Sequence, residues 1–206
     1  MLTTLALTAG AAETPVETPA LEGVGFWRRA LARMLDQGVH FMVGYGVGLL
    51  VGALVMIGNA ARGGDPAAMI QRLSATSGLD FLAGLLGSLA MHTVAEGLHG
   101  STIGKRLCGL TVVTVGGAPP TLGGALKRNI AFLWDALFFG MIAAQRMSQS
   151  PLNQRYGDAW ANTQVVRLSV LTPDPGRSWL GFGLAVSYGL AANVVILLLA
   201  FMAKLA

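Results

Sequence analysis

The sequence predicts an all-α membrane protein: three transmembrane helices plus a re-entrant or interfacial helical hairpin, with a small two-stranded cytoplasmic β element. Three observations predict it. Hydrophobic residues make up 53% of the 206-residue chain and charged residues only 12%, about half the charged share of a soluble domain. The 28 glycines sit among Ala, Leu and Val, as in packed membrane helices. The apolar residues also gather into three long runs separated by basic segments.

The chain divides into an N-terminal tail (1–22), a membrane domain (23–168) and a linker with an extra C-terminal transmembrane helix (169–206). The tail contains "AAETPVETPALE", which has no periodicity and reads as disordered. Its start lacks a basic n-region, so a signal peptide is not expected. The first span runs from Gln37 to Gly58, 22 residues broken only by His40 and Tyr45, which is enough to cross a bilayer. Arg28, Arg29 and Arg33 precede it and Trp27 is an interfacial anchor, placing the N-terminus in the cytoplasm. Gly44, Gly48 and Gly52 recur every four residues, a smooth stripe for close helix packing or a homo-oligomer. A polar loop follows, then a second span from Leu79 to Leu98 and a last one from Leu180 to Ala203.

The segment from Ala125 to Arg146 is harder. Only 17 residues separate Arg128 from Arg146, about 26 Å as a helix against a hydrocarbon core of roughly 30 Å. If the segment dips in and returns, only Arg62, Arg72 and Lys204 of the 14 basic residues lie outside, as the positive-inside rule prefers. Leu110–Val115 and Thr163–Val170 are β-branched and alternating. Paired with each other, they must share one side of the membrane. Hence the expected hairpin.

Between the second span and the first strand the chain reads "GSTIGKRLCGLTVV". This is not a phosphate-binding loop, which needs four residues between its glycines and a Ser or Thr after the lysine. Lys105 and Arg106 are expected instead to snorkel to lipid headgroups, with Gly100 and Gly104 ending the helix. A net charge of +4 is too small and dispersed for nucleic acid, and a single cysteine excludes an internal disulfide. No cofactor is implied.

The informative residues are ionisable groups at helical spacing inside the spans. Arg29, Arg33, Asp36 and His40 form one stripe, and Ser88, His92, Glu96 and His99 another. Because an unpaired charge in the bilayer is costly, the two stripes are expected to face each other. The bland alternatives are a structural ion pair of Asp36 with Arg29 or Arg33, and ordinary hydrogen-bonded histidines. Asp36, His40, His92 and Glu96 have metal-ligand chemistry but no dedicated spacing. Asp135 is either a helix-break residue at the hairpin tip or a proton-carrying carboxylate.

Four segments, "FWRRALARMLD" (26–36), "EGLHGSTIGKRLCGLTVV" (96–113), "ALKRNIA" (125–131) and "QRYGDAWANTQVV" (154–166), together resemble the RDD family of small bacterial membrane proteins. The resemblance covers about 23–168 and places the family's arginine on Arg29 and its two aspartates on Asp36 and Asp158. Glu96 and Lys105 match favoured positions. Arg33, the three histidines and the last span depart from the pattern. The resemblance implies transport, with some members looking like sodium/proton antiporters.

Three functions follow. The first is a transporter of the cation/proton exchange type: Asp36 carries a small cation or proton, Arg29 competes for it, and Glu96 and Asp158 shape the entrance. The second is a non-transporting scaffold or assembly factor whose charge cluster is structural. An enzyme is the least supported, since there is no Ser-His-Asp order, paired-cysteine zinc site or nucleotide loop.

Overall fold

The computed structural model describes residues 21–75, 78–171 and 178–205. The expected disordered tail lies almost wholly outside them, as does most of the linker. Among the described residues, three helices are long and apolar enough to cross a membrane: α1 (Phe26–Ala61), α3 (Gly78–His99) and α9 (Trp179–Leu205). Between the first two lies α2 (Pro66–Ser74), started by Pro66 and capped by Asp65, whose carboxylate accepts from the Ala67 amide at 2.9 Å. That is the ordinary N-terminal device of a short helix.

The other short elements of the chain gather at one end of the long helices. There the chain forms α4 (Ile103–Leu107), β1 (Leu110–Thr114), α5 (Leu122–Ile130), α6 (Phe132–Asp135), α7 (Met141–Ser148), α8 (Tyr156–Trp160) and β2 (Thr163–Arg167). β1 and β2 pair antiparallel, Leu110 opposite Arg167 and Thr114 opposite Thr163. The N-terminal segment adds a rung, with Val24 N–H donating to the Val165 carbonyl at 2.8 Å. Leu110, Val112 and Val165 pack with Val24 and Ala32 into a small apolar core. The strands are thus buried on both faces, unlike the half-wet alternation of an exposed ribbon.

Nothing between the two strands is long enough to cross a bilayer. The longest helix there, α5, has nine residues, about 14 Å of rise. The 3₁₀ turn Leu137–Gly140 joins α6 to α7, with Gly140 in the left-handed region at φ 83°.

α3 packs most extensively on α9. The far ends are tied together: Lys204 Nζ lies 2.8 Å from Asp80 Oδ2, and Arg72 donates to the Leu205 carbonyl at 3.1 Å. The glycine stripe of α1 behaves differently from its expected packing role. Gly44 meets Leu197 of α9, but nothing lies within 4 Å of where a side chain would stand at Gly48 or Gly52. The buried residues of α1, Ala32, Asp36 and His40, all fall in the half nearer its N-terminus.

The stretch after α3 turns for two distinct reasons. Gly100 has φ +76°, and a Cβ there would stand 2.7 Å from the Val112 carbonyl oxygen, so only glycine fits both demands. Gly104 sits inside α4, where a Cβ would overlap the Ala32 carbonyl. It ends no helix, contrary to the expectation; it lets α4 lie directly against α1.

Candidate functional site: a buried ion network beside a cavity

Helix geometry decides which charges meet. Asp36, on α1, is buried and faces the start of α4. Its Oδ2 accepts from the Thr102 hydroxyl at 2.6 Å and its Oδ1 from the Gly104 amide at 2.7 Å. His92, on α3, approaches from the other side, its Nε2 3.7 Å from Asp36 Oδ2. His92 Nδ1 donates to the Ser88 carbonyl at 2.7 Å, since a carbonyl can only accept. The Ser88 hydroxyl reaches Gln37 Oε1 at 3.4 Å. The two polar stripes therefore touch along this part of their length.

Arg29 does not join them. It forms an ion pair with Asp158 and donates to the Asn153 carbonyl at 2.9 Å. The expected Arg29–Asp36 pair fails because the two lie two turns, about 10.5 Å, apart along the axis. Helical side chains also tilt toward the N-terminus, carrying the Arg29 guanidinium away from Asp36. Arg33 is likewise not an ion partner of Asp36: its guanidinium stands over the Phe132 ring, 4.0 Å from the centroid, a cation–π seat.

The second carboxylate of the network is Glu96, near the end of α3. Lys105 Nζ lies 2.5 Å from Oε1, and Arg128 Nε lies 2.8 Å from Oε2. Lys105 was expected to snorkel outward. It turns inward because Gly100 reverses the chain after α3 and sets α4 over Glu96. Arg106 also stays on protein, its guanidinium 4.4 Å from the Trp179 ring centroid.

Arg128, on α5, is the link between the carboxylates. Beside Glu96 it reaches Asp158 Oδ1 at 3.2 Å and donates to Thr163 Oγ1 of β2 at 3.1 Å. Planar guanidinium geometry suits such bridging, which a lysine could not reproduce. Asp158, on α8, also takes the Arg155 Nε at 3.4 Å and the Arg155 backbone N–H at 3.3 Å. Arg128 and Asp158 have no exposed surface. Burial alone would push the Asp158 carboxyl up, but Arg29, then Arg128 and Arg155, hold it well below the usual carboxylate range. Burial works against the Arg128 charge too, yet Glu96 and Asp158 raise its pKa above the usual value. For Lys105 burial outweighs Glu96 and Asp36, so its ammonium is lowered.

Asp135 closes α6. Its Oδ2 lies 3.6 Å from Arg155 Nε and accepts from the Gly157 amide at 3.4 Å, while Oδ1 is buried without a hydrogen-bond partner. Burial pushes its pKa up, against the pull of Arg155 and the Gly157 and Tyr156 amides; neighbouring Asp158 adds to the rise.

Beside this network opens a cavity of ≈ 210 Å³, reached by Arg29, Arg33, Lys105, Arg128, Arg155 and Asp135. Phe26, Phe132 and Met147 supply apolar wall. Of the four residues singled out by the sequence, only Arg29 lines it. Asp36 borders a separate gap of ≈ 10 Å³, and Glu96 and Asp158 are closed in behind their partners.

Asp36, His40, His92 and Glu96 do not form a metal site: no group of three or more ligating side chains converges among the described residues. Glu96 is saturated by its cations and by Asn129 Nδ2 at 3.3 Å, and His40 sits further along α1, facing Gly84 and Gly87 of α3. His99 is buried at the end of α3 with its ring 5.6 Å from that of Phe182.

A second polar residue stands deep between the helices. Asn193 of α9 has no exposed surface, and neither of its amide atoms has a hydrogen-bond partner among the described residues. Such a group costs about 1–3 kcal/mol. Asn193→Leu, of matching shape, is expected to raise stability by about 1 kcal/mol, read as a higher midpoint of thermal unfolding in detergent.

The RDD family model matches residues 24–162. The chain belongs to the RDD family. Its matched region ends before the last helix and takes in every ion pair of the network. No curated protein and no solved structure matches the chain.

Sequence reasoning missed Arg128 and Arg155 as network members. Both lie in the RDD-like segments 125–131 and 154–166, which was the available signal. Short helices, however, usually carry their arginines into water.

Proposed function

We propose that this RDD protein is a small-solute transporter of the bacterial inner membrane. In this reading the buried ion pairs are its frame, the cavity beside them is its carrier site, and Asp135 is the proton-coupling carboxylate. The observation that carries the reading is the ≈ 210 Å³ cavity with a single carboxylate on its wall. Asp135 has spare capacity there, because its Oδ1 is unpartnered and burial favours its protonated form. Asp36 is a weaker carrier: its two oxygens are occupied, and its ≈ 10 Å³ gap is at most one water's room.

Orientation follows from charge. Among the described residues, Arg62, Arg72 and Lys204 stand at the far end, and the other basic residues at the network end. Positive-inside bias then puts the network, the strand pair and the N-terminus on the cytoplasmic side. The short helices between the paired strands support a hairpin that enters and returns at that surface.

The test is proton movement in proteoliposomes carrying a pH-sensitive dye, driven by imposed gradients of sodium salts and of small organic anions. Asp135→Asn is expected to reduce coupled proton movement at least tenfold. A raised carboxyl lowers stability as pH rises from the unfolded to the folded value, so the neutral variant should also lose that decline. Full proton coupling in Asp135→Asn ends the mechanism.

One observation favours a second reading. Among the described residues, the apolar middle of α1 is not buried, and nothing lies within 4 Å of the Cβ positions of Gly48 and Gly52. A second copy or another membrane protein seated there, co-purifying in fixed ratio with no flux, would make the protein a scaffold.

A further inference from the structure

The cavity has a sign. Arg29, Arg33, Lys105, Arg128 and Arg155 reach it, against Asp135 on the wall and Glu96 and Asp158 behind it. Even if Asp36 is included, whose field also reaches Arg33, five cations face four carboxylates. The excess falls on Arg33, which forms no ion pair among the described residues and keeps a buried Nε without a hydrogen-bond partner. Fully buried Arg128, although paired twice, likewise leaves Nη2 without one. Buried guanidinium N–H groups in that state ask for an acceptor, and their geometry matches carboxylate and phosphate. The rest of the wall is apolar: Phe26, Phe132 and Met147. The ≈ 210 Å³ lies below the roughly 300–1,000 Å³ of sites that take drug-sized ligands, too small for a lipid's acyl chains.

We propose, on the reading that this cavity is the carrier site, that its ligand is a small organic anion. A carboxylate or phosphate would seat on Arg33 and Arg128, and a short apolar tail would lie against Phe26, Phe132 and Met147. A metal cation is the wrong occupant for this wall. The same anionic head could belong to a free solute or to a phospholipid headgroup reaching in, so the test separates the two.

The full-length protein is placed in phosphatidylcholine nanodiscs and titrated calorimetrically with butyl phosphate, hexanoate, inorganic phosphate and sodium chloride. Butyl phosphate or hexanoate is expected to bind saturably, one per chain. Inorganic phosphate, without a tail, should bind on the order of tenfold more weakly. Arg33→Gln should weaken binding on the order of tenfold or more, with Arg33→Lys recovering part of it. Because Arg33 has no ion partner, both variants should unfold thermally near wild type. A parallel set of discs containing phosphatidylglycerol identifies the source: lost butyl phosphate binding means the lipid phosphate already occupies the site, and retained binding means a free solute. No saturable anion binding by folded protein in phosphatidylcholine, or binding indifferent to Arg33→Gln, overturns the inference. Binding without flux would overturn the transport reading alone. Proton-coupled sodium flux without anion binding would overturn this one alone.

Discussion

Asp158→Asn is expected to destabilise the protein by about 3–5 kcal/mol, the usual cost of removing one partner from a buried ion pair. The substitution keeps the shape and removes the charge that Arg29, Arg128 and Arg155 share. Arg128 would then keep only Glu96 and Arg155 only Asp135, while the Arg29 guanidinium would be left beside them with no carboxylate of its own. Two of these anchors reach different elements: Arg29 is on α1, and Arg128 also holds Thr163 of β2. The strand pair should therefore loosen from the helices before the helices part from each other. Limited proteolysis should cut near the strands, and the midpoint of thermal unfolding in detergent should drop. The pH dependence separates this from a packing defect. The Asp158 carboxyl is held below the usual range, so its contribution is fully present above the unfolded value near 4. It is lost only as pH falls through the lower folded value. The gap between wild type and variant should stay constant from pH 8 to about 5 and narrow only in strong acid. A gap that closes by pH 6 would mean the carboxylate is not buried among its arginines.

Much of the fold was legible because the membrane imposes a coarse rule. Each span announces itself by length and hydropathy, and the three runs of the sequence are the three long helices to within a few residues at the α3 and α9 ends. α1 begins well before its apolar run because its first turns carry the arginines that serve the network. The strand pair was legible for a different reason. Two β-branched segments that cannot leave their backbone edges bare had one another as the obvious partners, and they pair in register. The site was less legible, because it depends on which way single side chains turn. Nothing in "GKR" distinguishes a lysine that snorkels from one that turns back onto Glu96. The direction is set by the φ of Gly100 and by contacts many residues away. Arg128 is the sharper case. In sequence it marks the edge of a short basic helix. In space it joins two carboxylates from α3 and α8 that lie 32 and 30 residues from it. Asp36 was visible as a misplaced charge, but its main partners are a hydroxyl and a backbone amide. A backbone amide has no residue signature except the glycine that lets it come close.

That glycine gives the second large effect. Gly104→Val is expected to cost about 3 kcal/mol or more, combining overpacking of about 1–3 kcal/mol with loss of charge-assisted hydrogen bonds of about 1.5–3 kcal/mol. A Cβ at 104 would overlap the Ala32 carbonyl and stand 3.0 Å from Asp36 Cγ. Both obstacles belong to α1, and one is backbone, so no rotamer change relieves the clash. α4 must move off α1. As it does, the Gly104 amide and the Thr102 hydroxyl leave Asp36, a carboxylate buried with only those donors and His92 around it. Lys105 moves with α4 and leaves Glu96 to Arg128 and Asn129. One methine thus disturbs both carboxylates through a single rigid displacement. Gly123→Ala is the control, because nothing lies within 4 Å of its Cβ position in α5. It should be neutral or stabilising by up to about 1 kcal/mol, as glycine is a poor helix residue. Thermal unfolding of both variants beside wild type reads the contrast. If Gly104→Val unfolds with wild type, α4 does not rest on α1 and Asp36 is not held by the loop after α3.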